Sequence, residues 1–243
     1  MLTYHLKSIP QEAASLDIVD IDPIVQARLD VPPAAPIPNS PTLGVTRQRI
    51  SHIFGGGVQA MISNPAKNKV TLNNTLNLCF QPSWNPLAPS QPGEHGLLFR
   101  SPEGMVSEIP SPEPNGVTLF RCNGTNNWVY MGQYRARRVD AISPVEWETL
   151  GDETKQLWFQ QSNIIKGWRD KIHSLMKIRR TGEDVTKALF TTAMRLGLTK
   201  LDCWLFEFIR YRHEYFDVLA GNITVAEAQA KAESPLEDWK SED

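Results

Sequence analysis

Negative charge is missing from a long stretch near the start of the chain. No Asp or Glu occurs between residues 31 and 93, a stretch that contains Arg47, Arg49, Lys67 and Lys69. Extended to residue 138, the window holds nine Lys and Arg against four Glu, which leaves sixteen basic and twenty-three acidic residues elsewhere. A region with a field of one sign attracts a polyanion, most simply nucleic acid. The charge separation therefore predicts a nucleic-acid ligand, and the alternative is a neutral-to-basic β domain without a ligand.

Cysteine and long apolar runs are also scarce. The chain of 243 residues has three cysteines, Cys79, Cys122 and Cys203, and no Cys-x-x-Cys spacing. This pattern argues against a disulfide framework and a structural zinc site, so we expect no metal and no cofactor. No window approaches about 18 continuous apolar residues, and no basic segment followed by an apolar run begins the chain. We expect a soluble intracellular protein with no membrane contact, located in the nucleus if DNA is its ligand.

Motifs of hydrolytic chemistry are missing as well. The sequence has no Gly-x-Ser-x-Gly, no His-Glu-x-x-His, no Walker A motif and no HNH-like cluster. Its five histidines are scattered along the chain. We therefore expect no catalytic residues and no enzyme activity. A nuclease or hydrolase with an unrecognised site is the least favoured alternative.

Composition divides the chain into four parts. Residues 1–43 form a proline-rich arm, whose composition favours extended chain lying along a groove or serving as a linker. We predict a β-barrel-like DNA-sensing domain over residues 44–142 and a helical layer packed on that barrel over residues 143–221. Residues 222–243 form a short helix and an acidic tail. The order of strands first and helices afterwards predicts an α+β fold.

Short β-prone runs bounded by Asn, Gly and Pro clusters fill residues 44–139. Asn123-Gly124 between two such runs predicts a hairpin, because this pair accepts positive φ. The last run alternates, with Trp128, Tyr130, Gly132 and Tyr134 on one face and Val129, Met131 and Gln133 on the other. Several short strands without intervening helices predict a curved sheet or a small β-barrel.

Helical signals begin at Ser143, which forms a capping box with Glu146 and has Pro at the first helical position. Thr224 and Glu227 form a second capping box, opening a helix that stops before Pro235. Apolar residues at helical spacing predict three further helices, over residues 153–178, 183–196 and 200–220.

Three consecutive glycines, Gly55 to Gly57, permit positive φ and a close approach of the backbone to a partner. Their polar surroundings supply Lys and Arg for phosphates and amides for base edges. Another basic cluster ends the last predicted strand. We expect DNA contacts from Arg47, Arg49, His52, Gly55, Gly56, Gly57, Gln59, Lys67, Lys69, Arg135, Arg137 and Arg138.

A long proline-rich loop over residues 81–96 is stiff enough to form a pocket wall. Together with aromatic residues of the alternating strand, it could supply stacking faces and polar edges for an extruded base. The predicted base pocket contains Trp84, Asn85, His95, Trp128 and Tyr130. The alternative is that these aromatic rings belong to the core of the β domain.

The order of four motifs, at residues 50–63, 95–99, 117–120 and 128–134, resembles an uncharacterised domain family of fungal proteins. It also resembles the N-terminal sensing domain of bacterial HNH restriction endonucleases, which is similar to SRA-like domains that flip and read modified cytosine. Phe54 stands where those domains have tyrosine, Ala60 and Met61 replace a glycine pair, and no nuclease domain follows. The resemblance implies an SRA/PUA-like reader without a nuclease.

Together, these observations predict a DNA-binding module that reads a modified base, 5-methylcytosine or a related base, by base flipping in duplex DNA. A different class of function is a protein-interaction scaffold without a nucleic-acid ligand. In both cases the helical part offers a surface for a protein partner.

Overall fold

A computed structural model describes residues 23–29, 43–55, 57, 62–63, 76–102, 116–178 and 183–233. Its elements in chain order are α1 (Pro23–Gln26), β1 (Gly44–Val45), α2 (Arg47–Phe54), β2 (Ile62–Ser63), β3 (Asn77–Phe80), β4 (Gly96–Arg100), β5 (Val117–Cys122), β6 (Trp128–Val139), α3 (Pro144–Thr149), α4 (Asp152–Ile164), α5 (Lys166–Leu175), α6 (Lys187–Arg195), β7 (Asp202–Arg210), α7 (His213–Ala220) and α8 (Val225–Glu233). None of these helices is long and apolar enough to cross a membrane.

The strands form one mixed sheet in the order β2-β3-β5-β6-β7-β4, with β1 paired to β6. Strands β3 and β5 run parallel, and the other pairs are antiparallel. Within the described residues no pairing joins β4 to β2 or β3, so the sheet does not close. The predicted α+β class is confirmed, and of the two predicted sheet forms, a curved sheet or a small β-barrel, the barrel does not form among the described strands.

One face of the sheet carries a core made of strand residues. Leu78 and Phe80 of β3 belong to this cluster together with Leu98 of β4, which lies at the far side of the strand order. Trp204 and Phe206 of the intervening strand β7 belong to it as well. Because residues from distant strands share one cluster, the sheet curves around it.

Two groups of helices cover the opposite face. Helices α3 to α6 pack against β4 and β7, and there Phe190 packs edge to face on both Trp147 and Trp168. Helices α2, α7 and α8 pack at the other end of the sheet, around Phe120 and Tyr130. On this face the candidate site forms a strip that lies along β6 between Tyr130 of one core and Val139 of the other.

Strand β7 corrects the prediction of a helix over residues 200–220. Residues 202–210 pair with both β6 and β4, and only the second half of the predicted helix forms, as α7. A strand that is buried on both faces has an almost continuous apolar sequence, which resembles a buried helix. The segment assigned to the helical layer therefore supplies a strand between β6 and β4.

Two other boundaries differ from the predictions. Residues 47–54 form helix α2 and not β structure, because Thr46 caps the helix by accepting a hydrogen bond from the Arg49 N–H. The single helix predicted over residues 153–178 is two helices, α4 and α5, separated at Ile165. At Ile165 the backbone is extended, with φ −83° and ψ 95°.

Several local predictions are confirmed. Ser143 and Glu146 form the capping box of α3, and Thr224 and Glu227 exchange equivalent hydrogen bonds at the start of α8. The hairpin between β5 and β6 turns at Gly124, where φ is 116°. The helix predicted over residues 183–196 is present as α6, which begins four residues later.

A bulge in β6 shifts the predicted alternation. Leu119 pairs with Gly132 while Phe120 pairs with Tyr130, so β6 has one additional residue at this point. Gly132 has φ 116°, and a Cβ there would lie 2.8 Å from the Phe208 ring. As a result Tyr134 lies on the curved-core face with Met131, opposite to Tyr130.

Part of the predicted N-terminal arm is docked on the fold. Residues 23–26 form the helical turn α1, although composition favoured extended chain, and Val25 is buried against the α3–α6 core. Arg28 forms two hydrogen bonds with the Glu146 carboxylate. Of residues 1–43, only 23–29 and Leu43 are among the described residues.

Candidate functional site

A row of polar side chains crosses the sheet on its helix-covered face. Asn77 of β3 is in register with Thr118 of β5, Thr118 with Gln133 of β6, and Gln133 with Arg210 of β7. We call these four residues the polar row. Asn77, Thr118 and Gln133 are at most 1 % exposed, and Arg210 is half-buried. Polar groups this deeply buried require hydrogen-bond partners.

Two amide atoms of the polar row lack such partners among the described residues. Asn77 Nδ2 donates to the Phe54 carbonyl at 3.3 Å, but its Oδ1 accepts nothing. Gln133 Oε1 accepts from Arg210 Nε at 2.7 Å, but its Nε2 donates to nothing. An unsatisfied buried group costs about 1–3 kcal/mol. The row therefore presents one unused acceptor and one unused donor on the same face of the sheet.

Charged residues continue the polar strip beyond the row. Arg135 pairs in register with Glu207, which is 7 % exposed, and Glu207 Oε2 lies 3.5 Å from Arg137 Nε. Arg135 itself is exposed. The strip thus runs from the buried Asn77 to the surface at Arg135.

The glycine turn predicted from the sequence lies beside the polar row. Helix α2 ends at Gly55, which adopts φ 79°, and the Phe54 carbonyl just before it holds Asn77. Arg47 Nη2 donates to the Gly57 carbonyl at 3.1 Å. The carbonyl before the turn is therefore bonded to β3, and the Gly57 carbonyl is bonded to Arg47 of α2.

Arg47 makes this connection from a buried position. It is 8 % exposed, its guanidinium lies 5.2 Å from the centre of the Trp128 ring, and its Nη1 contacts Cys79 Sγ. Burial raises the pKa of the Cys79 thiol to about 12, despite the nearby guanidinium. Cys79 is therefore a neutral thiol at physiological pH and not an activated nucleophile.

An apolar side chain lies at the surface end of the row. Ile209 is 37 % exposed, and its Cδ1 lies 2.7 Å from where a Cβ on Gly116 would stand. Gly116, two residues before Thr118, thus leaves space for the Ile209 side chain. The neighbouring Tyr211 has a buried hydroxyl without a partner in the described residues, and burial raises its pKa. The arrangement offers hydrogen bonds and one apolar contact, without an ionised nucleophile.

Several predicted phosphate ligands are engaged within the chain. Arg49 caps α7 by donating to the carbonyls of Leu219 at 2.7 Å and Val218 at 2.9 Å. Arg138 Nη2 lies 2.8 Å from Asp202 Oδ2, and Arg137 donates to the Arg28 carbonyl as well as contacting Glu207. Three other predicted residues are exposed: His52 on α2, Gly57 after it and Arg135 on β6. Four predicted residues lie outside the described residues: Gly56, Gln59, Lys67 and Lys69.

The predicted pocket residues of the proline-rich loop stabilise the loop itself. Asn85 Oδ1 accepts from the Phe99 N–H at 2.7 Å, and Asn85 is 4 % exposed. Trp84 packs edge to face on Trp158 and accepts its indole N–H at the backbone carbonyl, at 3.0 Å. His95 Nδ1 accepts from the Phe208 N–H at 2.8 Å.

The structure does not bring the five predicted pocket residues together. Trp84 packs against the α3–α6 core, whereas Trp128 and Tyr130 belong to the α2–α7–α8 core. The Tyr130 ring packs on the rings of Phe120, Tyr211 and Tyr215. Tyr130 is a core residue, whereas Trp84 and Trp128 are partly buried beside two different cores. The base pocket made of these residues stays a prediction.

The polar row itself was missed at the sequence level. A signal for it exists, because Asn77, Thr118 and Gln133 interrupt strands that are otherwise apolar. A polar residue at a core-facing position of a strand requires a partner.

Among the described residues no group of three His, Cys, Asp or Glu side chains could hold a metal ion.

Comparison with known proteins places the chain in one family. No curated protein matches it, and no solved structure does. The resemblance to SRA-like sensing domains accordingly stays a prediction. The family described as Domain of unknown function (DUF6697) matches residues 44–222, about three quarters of the chain, and the chain therefore belongs to that family.

Proposed function

We propose that this chain is a DNA-binding module whose polar row takes up a base turned out of the duplex. The base is 5-methylcytosine or a related modified base. The observation that carries this proposal is the pair of unused amide atoms, Asn77 Oδ1 and Gln133 Nε2, on one face of the sheet. A buried donor and acceptor that the fold leaves unpaired are suited to a ligand that supplies their complements.

A nucleobase fits these two groups chemically. The edge of cytosine presents an amino donor beside ring nitrogen and carbonyl acceptors, and Asn and Gln amides are common readers of base edges. Enzymes and readers that extrude a base hold it by hydrogen bonds to its Watson–Crick edge. In this chain Asn77 Oδ1 accepts from the base, and Gln133 Nε2 donates to it. Because both side chains are at most 1 % exposed, the residues that cover them must move aside when the base enters.

Selectivity for a methylated base requires an apolar contact beside the polar one. Ile209 supplies it, because this partly exposed side chain adjoins Arg210 of the polar row and lies over Gly116. The phosphates on either side of the extruded nucleotide meet the basic region, with Arg135 and His52 at its surface. The glycine turn, held by Arg47, lies where the backbone approaches the duplex.

The test is binding of the full chain to matched duplexes that contain no modification, methylcytosine, hydroxymethylcytosine or methyladenine. Gln133→Glu retains the acceptor for Arg210 and replaces only the Nε2 donor. A lost base-edge pair costs about 1–3 kcal/mol of discrimination, so the preference for modified DNA should fall about five- to hundredfold. Gln160→Glu, at an exposed position of α4, is the control with the same change in charge.

Two results contradict the proposal. One is equal binding of all four duplexes by the wild type. The other is a preference that Gln133→Glu and Gln160→Glu leave equally intact. A salt titration adds a check, since binding through phosphates weakens linearly on a log–log scale.

A protein partner is the second candidate, favoured by an exposed apolar patch at α3 and α6. Val145 is 77 % exposed and Leu196 is 64 % exposed. They are neighbours in space, because a Cβ on Gly197 would lie 3.6 Å from Pro144 Cγ. The double variant Val145→Glu, Leu196→Glu should leave DNA binding unchanged, and a loss of DNA binding would favour one shared surface.

A further inference from the structure

Two arginines flank one aspartate at the end of three adjacent strands. Arg100 of β4 is in register with Asp202 of β7, and Arg138 of β6 forms an ion pair with the same carboxylate at 2.8 Å. Arg138 is in register with Trp204, a residue of the curved core. The cluster therefore lies on the sheet face opposite to the polar row. Its formal charge is +1, and exposed Lys200 lies just before it in the chain.

The cluster has a donor that nothing in the described chain uses. Arg100 Nη1 is buried and has no hydrogen-bond partner among the described residues.

The neighbouring negative charge is also insufficient to offset the burial of the Arg100 guanidinium. Burial lowers the pKa of its guanidinium, and the opposing effect of Asp202 is smaller. Asp202 lies at hydrogen-bonding distance from Arg138, so its carboxylate is shared between two cations. A partly buried cation in such a position is stabilised by an additional anion.

We propose that Arg100 and Arg138 form a binding site for a phosphate group. A guanidinium presents paired N–H donors that match two oxygens of a phosphate. The site is separate from the polar row and does not depend on the function proposed for it. Its phosphate comes from a DNA backbone or from a small phosphorylated molecule, and the experiment distinguishes the two.

The first measurement is thermal unfolding of the full chain in inorganic phosphate, with chloride at equal ionic strength as reference. The wild type should unfold at a higher temperature in phosphate, because a ligand of the folded state stabilises it. Arg100→Met should weaken phosphate binding about tenfold or more, since charge-assisted hydrogen bonds are lost. Arg195→Met, which removes an exposed arginine paired with Glu148, is the matched control.

In chloride, Arg100→Met should unfold at the same temperature as the wild type or a higher one, because it removes an undercompensated buried charge. Arg138→Met provides the same test if Arg100→Met does not fold. An equal effect of phosphate and chloride on the wild type would overturn the proposal. So would a phosphate effect that persists undiminished in both variants.

The second measurement identifies the source of the phosphate. If it belongs to DNA, Arg100→Met should reduce the slope of log affinity against log salt for a duplex by about 0.9. If it belongs to a small molecule, inorganic phosphate should stabilise the wild type while the duplex slope remains the same in Arg100→Met. Because Gln133→Glu leaves the cluster intact, failure of base reading in that variant is distinguishable from failure of this site.

Discussion

The ion pair between Arg28 and Glu146 gives a prediction of how stability depends on pH. Arg28 Nη1 and Nη2 lie 2.5 Å and 2.8 Å from the two oxygens of Glu146. The two side chains are 11 % and 22 % exposed. Glu146 also accepts from the Ser143 N–H at 2.8 Å. The pair connects the segment 23–29 to the first turn of α3.

These contacts lower the pKa of the Glu146 carboxyl from 4.5 to about 2, chiefly through the hydrogen bonds from Arg28. A lowering of this size corresponds to about 3 kcal/mol of stabilisation of the ionised form. Solvent screens part of this interaction, because the carboxylate is partly exposed, so we expect about 1–2 kcal/mol in a measurement.

The pKa of Glu146 is lower in the folded state than in the unfolded state, so its contribution to stability decreases as the pH falls. The contribution is complete above about pH 4.5 and is lost as the pH falls towards about 2. Glu146→Gln should therefore reduce the free energy of unfolding at pH 7 by about 1–2 kcal/mol. The difference from the wild type should shrink between pH 4.5 and the lowest pH at which both remain folded.

The assay is urea unfolding of the wild type, Glu146→Gln, Arg28→Met and the double variant, at pH values from 7 downwards. A double-mutant cycle isolates the coupling of the pair. Glu148→Gln provides the control, since the Glu148–Arg195 pair is exposed at the surface. A coupling near zero at pH 7, or one that is the same at pH 7 and pH 3, would refute the reasoning.

Three further outcomes are expected. Arg49→Met should lower the free energy of unfolding by about 1–3 kcal/mol, because it removes two charge-assisted hydrogen bonds to the carbonyls of α7; unchanged urea unfolding would contradict this. Gly132→Ala should cost about 1–3 kcal/mol for its positive φ alone, and more from the clash with Phe208; a variant with the wild-type melting temperature would show that the bulge can relax. Limited proteolysis should leave residues 44–221 as one fragment, because β7 lies inside the sheet, and a stable folded fragment ending near Val139 would count against it.

The features that the sequence predicts correctly are encoded within a few consecutive residues. Capping boxes at Ser143 and Thr224 need a hydroxyl and a carboxylate three positions apart. The hairpin at Gly124 needs residues that tolerate positive φ. None of these depends on what packs against the segment, so sequence patterns predict them reliably.

Strand β7 shows where such patterns fail. Its residues 202–210 are mostly apolar and stand between helical segments, and periodicity alone does not separate a buried strand from a buried helix. The conformation is decided by the unpaired edges of β4 and β6, which are distant in the chain. A prediction limited to a local window contains no information on those edges.

The polar row was not predicted from the sequence for a related reason. Simple alternation placed Gln133 on the same face as Val129 and Met131, but the bulge at Gly132 moves it to the opposite face. The glycine turn was predicted and lies beside the polar row. Its partner Asn77 was not predicted, because a polar residue in an apolar strand indicates that a partner is needed but not which distant group supplies it.

The position of β7 has a consequence for how the chain folds during synthesis. Strand β4 has β7 as its only partner among the described strands, and about 100 residues separate them. At typical rates of translation, of about 5–20 residues per second, β7 is synthesised several seconds after β4. During this time β4 has a short, apolar, unpaired edge that can pair with another chain. Such long-range pairing also slows folding, so this fold should depend on chaperones more than its size suggests.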